Sequence, residues 1–206
     1  MNYPRGMTGT KRILVDQCCS AIIDYQDFFL EQLESRGRAR LRRNMGSFAR
    51  LLSYLRIPTI LTLERPVDRK GPVPADVKET LGNATKVFEK NFFDLTKEQP
   101  IRMYLKRLKR KQIIVAGCET DVCVLQSCLG LLDLGFDVFA VEELLFSSTN
   151  RTDAAVERLK NAGVIFVSYK TLYFELVEAV DDGPHAANMI ARFGAFPDDL
   201  PEEAEH

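Results

Sequence analysis

The chain has 206 residues, of which 46% are hydrophobic and 28% are charged, with a formal net charge of −1. This length and composition predict one globular domain with a sizeable core, because two independent domains rarely share so few residues. The charge balance gives no electrostatic case for nucleic acid or a membrane surface as partner. No apolar run approaches the length of a membrane span, and residues 1–12 lack the apolar segment of a signal peptide.

Cysteine and histidine counts limit the chemistry further. The five cysteines are an odd number and lie in or beside apolar segments, which is typical of free thiols in a reducing cytoplasm. Only two histidines are present, and His206 is the last residue. A histidine-rich metal site is excluded by that count, and no Cys-x-x-Cys pair stands in for it. We therefore expect no metal and no cofactor, with carboxylates and lysine as the acid–base groups.

The N-terminal third begins without clear periodicity, and residues 1–17 are predicted to form an arm. Cys18 to Ile23 is an apolar run with the length of a strand, and Asp24 follows it directly. Residues 36–43 are basic and are interpreted as a linker or a solvated helix face. An amphipathic helix is predicted from the spacing of four apolar residues, Phe48, Leu51, Leu52 and Leu55.

Five more strands are predicted between segments with helical spacing. They are residues 58–63, 84–88, 113–116, 136–141 and 164–167. Pro100 suits the start of a helix, and Gly135 and Gly163 suit helix ends. Residues 64–74 are rich in proline and charge, which predicts a long loop of the kind that covers a site.

Strands that alternate with helices predict right-handed crossovers and a mostly parallel sheet. The fold class is α/β: a three-layer α/β/α arrangement around six strands. We assign the main domain to residues 18–195, ending in two short helices, and an acidic tail to residues 196–206.

Three reactive residues are predicted at the ends of separate strands: Asp24, Lys90 and Cys123. The ends of parallel strands converge at one edge of a sheet, so these side chains should lie close together. Thr120 and Asp121 have side chains that cap helices, which would put Cys123 in a first helical turn, where the helix dipole favours a thiolate. A common alternative stays open, because most cysteines near strand ends are small buried hydrophobic residues.

These segments resemble the cysteine hydrolase superfamily that includes isochorismatases, nicotinamidases and N-carbamoylsarcosine amidohydrolases. Residues 24–29 match its Asp-x-Gln-x-x-Phe motif, and Lys90 matches its lysine after the third strand. Residues 117–124 match its most specific motif, Gly-x-x-Thr-Asp-x-Cys-Val, without a change. The resemblance covers about residues 18–170.

The resemblance implies a catalytic triad. Cys123 would attack an amide carbonyl, Asp24 would take the thiol proton, and the ammonium of Lys90 would hold Asp24 ionised and favour the thiolate. Backbone N–H groups of Glu119 and Cys123 would stabilise the oxyanion, beside a cis peptide bond between Cys118 and Glu119. Ammonia or an amine would leave, and water would hydrolyse the thioester.

Four further residues are weaker predictions for the substrate pocket: Gln26, Phe29, Phe92 and Thr149. Core packing of Phe29 is an equally good interpretation. The chain also departs from two namesake activities. Metal-binding nicotinamidases carry an Asp-x-His cluster after the second strand, whereas residues 62–66 contain no histidine. Isochorismatases proper generally lack the nucleophilic cysteine.

The sequence therefore predicts a cysteine-dependent hydrolase of a small amide or ureido compound that needs no metal. The alternative is a non-catalytic relative that keeps the motif and acts as a binding or assembly protein. Because this family commonly forms symmetric assemblies, we also expect a homo-oligomer, a dimer or a tetramer. The apolar segment 173–193 is the predicted interface.

Overall fold

The computed structural model describes residues 11–82 and 85–177, and within them six parallel strands form one sheet. The strand order across the sheet is β3-β2-β1-β4-β5-β6. The strands are β1 (Cys18–Ile23), β2 (Thr59–Glu64), β3 (Thr85–Lys90), β4 (Gln112–Gly117), β5 (Asp137–Leu145) and β6 (Ile165–Val167). The direction in which strands are added to the sheet reverses between β1 and β4. Open α/β sheets bind their ligands at such a switch point.

Helices connect the strands within the described residues. They are α1 (Asp27–Leu30), α2 (Ser35–Tyr54), α3 (Val67–Lys70), α4 (Ala75–Leu81), α5 (Gln99–Leu108), α6 (Leu125–Asp133), α7 (Asp153–Ala162) and α8 (Tyr169–Val177). A 3₁₀ turn, Leu95–Lys97, precedes α5, and a π-helix, Thr120–Val124, precedes α6. Every helix in this part of the chain is too short or too polar to cross a membrane.

Two cores, one on each face of the sheet, confirm the predicted three layers. On one face α2, α4 and α8 pack over residues such as Ile22 and Ile114. On the other face α5, α6 and α7 pack over residues such as Ala21 and Val115. Both central strands are buried along their whole length, which is why their sequences are continuous apolar runs instead of alternating ones.

The basic segment 36–43 lies in the first half of α2 and is therefore a helix face. Its charged residues face outward, and an apolar stripe faces the sheet. The stripe consists of Leu41, Met45, Phe48 and Leu52, all buried.

The carboxyl ends of β1 and β4 approach each other very closely. Gly117 has φ +116°, and a Cβ atom built there would lie 2.0 Å from the backbone oxygen of Ile23. Only glycine fits this position, because the clash would be with backbone and not with a side chain that can move. The contact brings the residues after β1 beside those after β4.

Residues 64–74 do not form the predicted long loop. Glu64 is the last residue of β2 and pairs with Lys90 of β3. The chain then passes through a cis peptide bond at Arg65–Pro66 into the short helix α3. Proline often marks a loop, but Pro66 immediately precedes a helix, a position that its fixed φ allows.

The described end of the predicted N-terminal arm packs on the domain. Ile13 is fully buried, and its N–H donates to Glu175 Oε2 at 2.9 Å. The N–H of Leu14 donates to Gln112 Oε1 at 2.8 Å. Predictions for the helix near residues 186–193, the domain end at 195 and the tail 196–206 lie outside the described residues.

Candidate active site

The carboxyl ends of four adjacent strands meet in one buried cluster. Asp24 follows β1, Glu64 ends β2, Lys90 ends β3, and Cys123 lies in the π-helix after β4. Three of these side chains are the ones that the sequence predicts to converge. The fourth, Glu64, is an addition from the structure.

The ammonium group of Lys90 is the centre of the cluster. Its Nζ lies 2.7 Å from Asp24 Oδ2, 3.4 Å from Cys123 Sγ and 3.5 Å from Glu64 Oε2. The Lys90 side chain has no exposed surface. Burial opposes its charge most strongly, but the charges around it outweigh burial and raise the Lys90 pKa. Lys90 is therefore a buried cation.

Asp24 is held in an unusual backbone conformation. Its φ is +48°, in the left-handed region that aspartate tolerates better than most residues. Its N–H donates to the hydroxyl oxygen of Thr62 in β2 at 3.1 Å, and the same hydroxyl donates back to Asp24 Oδ1 at 2.7 Å. Burial raises the pKa of Asp24, and the ammonium of Lys90 opposes that rise.

The Asp24–Lys90 contact is an ion pair more than an aligned hydrogen bond. Asp24 Oδ2 has no well-oriented donor among the described residues, although Lys90 Nζ is 2.7 Å away. The separation is short enough for a strong electrostatic interaction in a buried site.

Cys123 lies in a π-helical turn and not at the start of a regular α-helix. The N–H of Val124 donates to Glu119 O at 3.0 Å, the five-residue spacing that defines a π-helix. Such turns occur often at functional sites.

The predicted capping by Thr120 and Asp121 is wrong. The Thr120 hydroxyl donates to Phe146 O at 3.0 Å, and Asp121 Oδ1 accepts from the Ser147 hydroxyl at 2.6 Å. Both side chains thus hold the segment after β5 against the nucleophile turn. The local sequence indicated caps because threonine and aspartate commonly cap helices. It holds no information about the partners of these side chains, which lie 26 residues further along the chain.

The expected fall in the thiol pKa is also wrong. Burial raises the pKa of Cys123 well above its ordinary value, and the negative charge of Asp24 adds to that rise, whereas Lys90 lowers it. The thiol donates to Glu64 Oε2 at 3.0 Å. The resting group is therefore a protonated thiol with a carboxylate acceptor.

Glu64 connects Cys123 to a second lysine. Its Oε2 accepts from Cys123, and its Oε1 forms an ion pair with Lys70 of α3. Burial would raise the pKa of Glu64, but the hydrogen bonds from Cys123 and Lys70 and the charge of Lys90 lower it overall. The sequence did contain a signal: Glu64 directly follows the apolar run predicted as a strand, residues 58–63, just as Asp24 follows the run Cys18–Ile23.

Gln26 holds Glu64 in place. Its Oε1 accepts from the Glu64 N–H at 2.8 Å, and its Nε2 donates to Gly71 O at 2.7 Å and Glu64 O at 3.4 Å. The side chain is fully buried. Its amide is therefore engaged by backbone, and a contact with substrate stays a prediction.

The other pocket predictions have different surroundings. Phe29 is buried in the core, with its ring centre 5.5 Å from Lys70 Nζ. Phe92 is half exposed, and the Thr149 hydroxyl accepts from the Arg151 N–H at 3.2 Å. Substrate contacts by these side chains stay predictions.

The backbone around Glu119 has the conformation that the resemblance implies. The Cys118–Glu119 peptide bond is cis, as expected. The Glu119 carboxylate accepts from the Ser148 hydroxyl at 3.0 Å, so the side chain is directed to the segment after β5. The role of the Glu119 and Cys123 N–H groups as oxyanion donors stays a prediction.

The cluster has donor atoms that metals use, but it does not suit a metal ion. Asp24, Glu64 and Cys123 each offer one such atom, and these three atoms lie within 4.8 Å of one another. The ammonium of Lys90 already lies against all three. A metal ion would bring a second positive charge beside Lys90, and the repulsion would be strong in a buried site.

Comparison with known proteins identifies the family. Residues 18–171 match the isochorismatase domain. The chain belongs to the isochorismatase family. Members of that family are hydrolases, so the broad chemical class agrees with the site.

Three proteins with similar sequences or structures show how far the similarity extends. A secreted isochorismatase effector of Phytophthora sojae is 34% identical over 136 residues, which are 64% of this chain and 63% of the effector, just under two thirds of its length. YcaC from Pseudomonas aeruginosa, solved with hexane-2,5-diol and covalent acrylamide, has TM-score 0.83 and 23% identity, over 94% of this chain and 97% of its own.

The YcaC protein of Escherichia coli, described as an octameric hydrolase of unknown specificity, has TM-score 0.81 and 22% identity, over 93% of this chain and 94% of its own. At these identities the two solved structures establish the fold.

Proposed function

We propose that this isochorismatase-family protein is a cysteine hydrolase that cleaves a C–N bond of a small amide or ureido compound. The observation that carries the proposal is the buried Lys90 ammonium between the Cys123 thiol and two carboxylates. Buried charges are costly, and apolar side chains would fill the same space with equal or better stability. A cluster of such perturbed groups at strand ends is typical of an active site.

The reaction has two halves. In the first, the Cys123 sulfur attacks the carbonyl carbon while a neighbouring carboxylate takes the thiol proton; the family resemblance implies Asp24 for this role. The proton then goes to the leaving nitrogen, the C–N bond breaks, and a thioester remains on Cys123. In the second half, water attacks the thioester and releases the acid and the free thiol.

Lys90 and the backbone would stabilise the charge that develops. The Lys90 ammonium, 3.4 Å from the sulfur, favours the thiolate as it forms. N–H groups of Glu119 and Cys123 would donate to the oxyanion of the tetrahedral intermediate. Because the resting thiol pKa is raised, the nucleophile forms only as the proton leaves, which makes general-base assistance necessary.

Substrate contacts belong to the pocket beside this cluster. We propose Gln26, Phe29, Phe92 and Thr149 as the residues that shape it. A small molecule is the expected ligand, with no role for nucleic acid or a membrane. We also propose a metal-independent reaction, because the Lys90 ammonium already supplies the positive charge at the site.

Assembly and location are part of the same proposal. The octameric relative in Escherichia coli supports a homo-oligomer. Much of the predicted interface, residues 173–193, lies outside the described part, and the side chains of Tyr173 and Leu176 are buried in the core. All five cysteines are free and buried, which supports a reducing compartment such as the cytoplasm.

A screen of small amides and ureido acids for ammonia release tests the function. We expect turnover by the wild type that persists in EDTA and disappears in Cys123→Ala. The matched control is Cys128→Ala, which removes another buried free thiol in the next helix and should retain activity.

Three results would count against the proposal. Full activity in Cys123→Ala would exclude the thioester. Loss of activity in chelator, restored by zinc, would exclude the metal-independent mechanism. Absence of turnover on every substrate would favour the alternative, a binding or assembly protein that keeps the motif.

A further inference from the structure

We propose that the outer face of helix α2 is a docking surface for the acidic C-terminal segment of the same chain, residues 198–205. Four arginines form a stripe along this face, at spacings that place them on one side of a helix. They are Arg36, Arg40, Arg43 and Arg50, and all four are exposed. The proposal does not depend on the hydrolase function.

The arginine stripe points away from the sheet. A helix turns by about 100° per residue, so the stripe lies roughly opposite the buried side of α2. That buried side consists of Leu41, Met45, Phe48 and Leu52. The stripe is therefore a solvent-facing surface that core packing does not explain.

The stripe costs stability when it has no partner. Positive charges three and four residues apart on one helix face repel each other. Arg36 lies in the first turn, where the helix dipole disfavours a cation, and no acidic residue is in that turn. None of the four arginines forms an ion pair with another described residue. A bound anionic segment would offset both costs.

The C-terminal segment has the opposite charge. No lysine or arginine follows Arg192 in the sequence. Guanidinium groups match carboxylates in shape and donate two parallel hydrogen bonds to them. A single exposed pair contributes little, so binding requires several pairs in one segment. The segment supplies five carboxylates: Asp198, Asp199, Glu202, Glu203 and Glu205.

The segment is within reach of the stripe. It lies outside the described residues, which end with α8 at Val177. Helix α8 is on the same face of the sheet as α2, and the rings of Tyr169 and Phe48 are 6.4 Å apart. About 20 residues separate Val177 from Asp198, a length that spans about 30 Å as a helix and about 70 Å when extended. A helix is about 10–12 Å across with its side chains, so the chain is long enough to pass around α2.

Disulfide trapping tests the contact in the full chain. Ala204→Cys puts a thiol in the acidic segment, and Ala39→Cys puts one beside the arginine stripe. The matched control combines Ala204→Cys with Ala154→Cys, because Ala154 is also an exposed helical alanine but lies on α7, on the opposite face of the sheet. The native cysteines are buried. The two pairs are oxidised with diamide, and each rate is divided by the rate at which iodoacetamide alkylates the helix thiol.

We expect the pair at the stripe to close at least about fivefold faster than the control pair in about 20 mM NaCl, because docking raises the effective concentration of the segment. In about 1 M NaCl the Debye length falls to about 3 Å, and the two rates should converge. Arg40→Gln with Arg43→Gln should also remove the difference. Arg102→Gln with Arg107→Gln, which removes two exposed arginines from α5, should leave it unchanged.

A second measurement uses heparin as a polyanionic probe of the uncovered face. Replacing the five acidic residues of the segment by their amides should delay elution of the full chain from a heparin column. Adding Arg40→Gln and Arg43→Gln should reverse most of this delay. Adding Arg102→Gln and Arg107→Gln should reverse much less of it, although the change in net charge is the same.

The inference is overturned if the two disulfide pairs close at rates within about twofold of each other in low salt. A disulfide that joins two copies, seen as a dimer in non-reducing electrophoresis, also overturns it, because the segment would then belong to a neighbouring molecule. Equal effects of the two arginine pairs on heparin elution would show that net charge alone, and not the stripe, controls binding.

Discussion

Replacement of Lys90 by methionine tests whether one buried cation holds the site together. The Lys90 ammonium lies 2.7 Å from Asp24 Oδ2, and both side chains are completely buried. Methionine keeps most of the length and volume and removes the charge. The carboxylate of Asp24 would then be buried beside the partly buried Glu64, with no cation between them.

The size of the effect follows from this burial. Breaking a buried ion pair by removing one partner costs about 3–5 kcal/mol, because the remaining charge is uncompensated. Total stabilities are about 5–15 kcal/mol, so Lys90→Met should lose a large fraction. Adding Asp24→Asn removes the second charge, and the double variant should recover most of the loss. The interaction free energy from this cycle isolates the pair.

The cost of Lys90→Met should depend on pH. Without the ammonium, burial raises the Asp24 pKa in the folded protein further above its value in the unfolded chain. The folded state then binds the proton more tightly, so the destabilisation is complete above the folded pKa and fades as pH falls towards the unfolded value. We expect a smaller deficit at pH 5 than at pH 7.

Urea denaturation followed by circular dichroism, at a fixed protein concentration, measures these free energies. Lys86→Met is the matched control, because Lys86 lies on the same strand with an exposed side chain, and its effect should stay within about 0.5 kcal/mol. The reasoning fails if Lys90→Met costs less than about 1 kcal/mol at pH 7. It also fails if removing Asp24 restores nothing.

Two other predictions follow from the same contacts and from the family. Gln26→Ala leaves the Glu64 N–H and the Gly71 carbonyl without their side-chain partner, so it should lower the free energy of unfolding in urea by about 1–3 kcal/mol. Gln32→Ala removes a glutamine at an exposed position and should lower it far less. Equal losses in the two variants would contradict this prediction. Light scattering at micromolar concentration should give a mass that is a multiple of 23.4 kDa, and a monomer would refute the predicted oligomer.

Strand positions could be predicted well where strands are buried on both faces. The bounds predicted for β1, Cys18–Ile23, are those observed, because a continuous apolar run has few other uses in a parallel sheet. Strand β5 extends to Leu145 beyond the predicted end at residue 141. Its sequence becomes charged at Glu142, which is exposed, but the strand continues after a shift in register and pairs with Gly117.

The candidate site was predictable as a meeting place, but its electrostatics were not. Topology alone brings the ends of β1, β3 and β4 together, which is why Asp24, Lys90 and Cys123 converge. Glu64 was missed because nearby prolines suggested a loop. The prediction of a lowered Cys123 pKa was wrong because that pKa depends on burial and on carboxylates distant in sequence. No local sequence pattern contains this information.

The charges of the completed cluster explain why an internal proton transfer suits this site. Asp24 and Glu64 supply two negative charges, and Lys90 and Lys70 supply two positive charges that balance them while the thiol is protonated. Loss of the thiol proton to solvent would leave an extra negative charge in a buried cluster, which is costly. Transfer from Cys123 to a carboxylate of the cluster would leave the total unchanged and only move the negative charge onto the sulfur. A raised thiol pKa is therefore compatible with a nucleophile that is generated only when a carbonyl carbon is present to receive it.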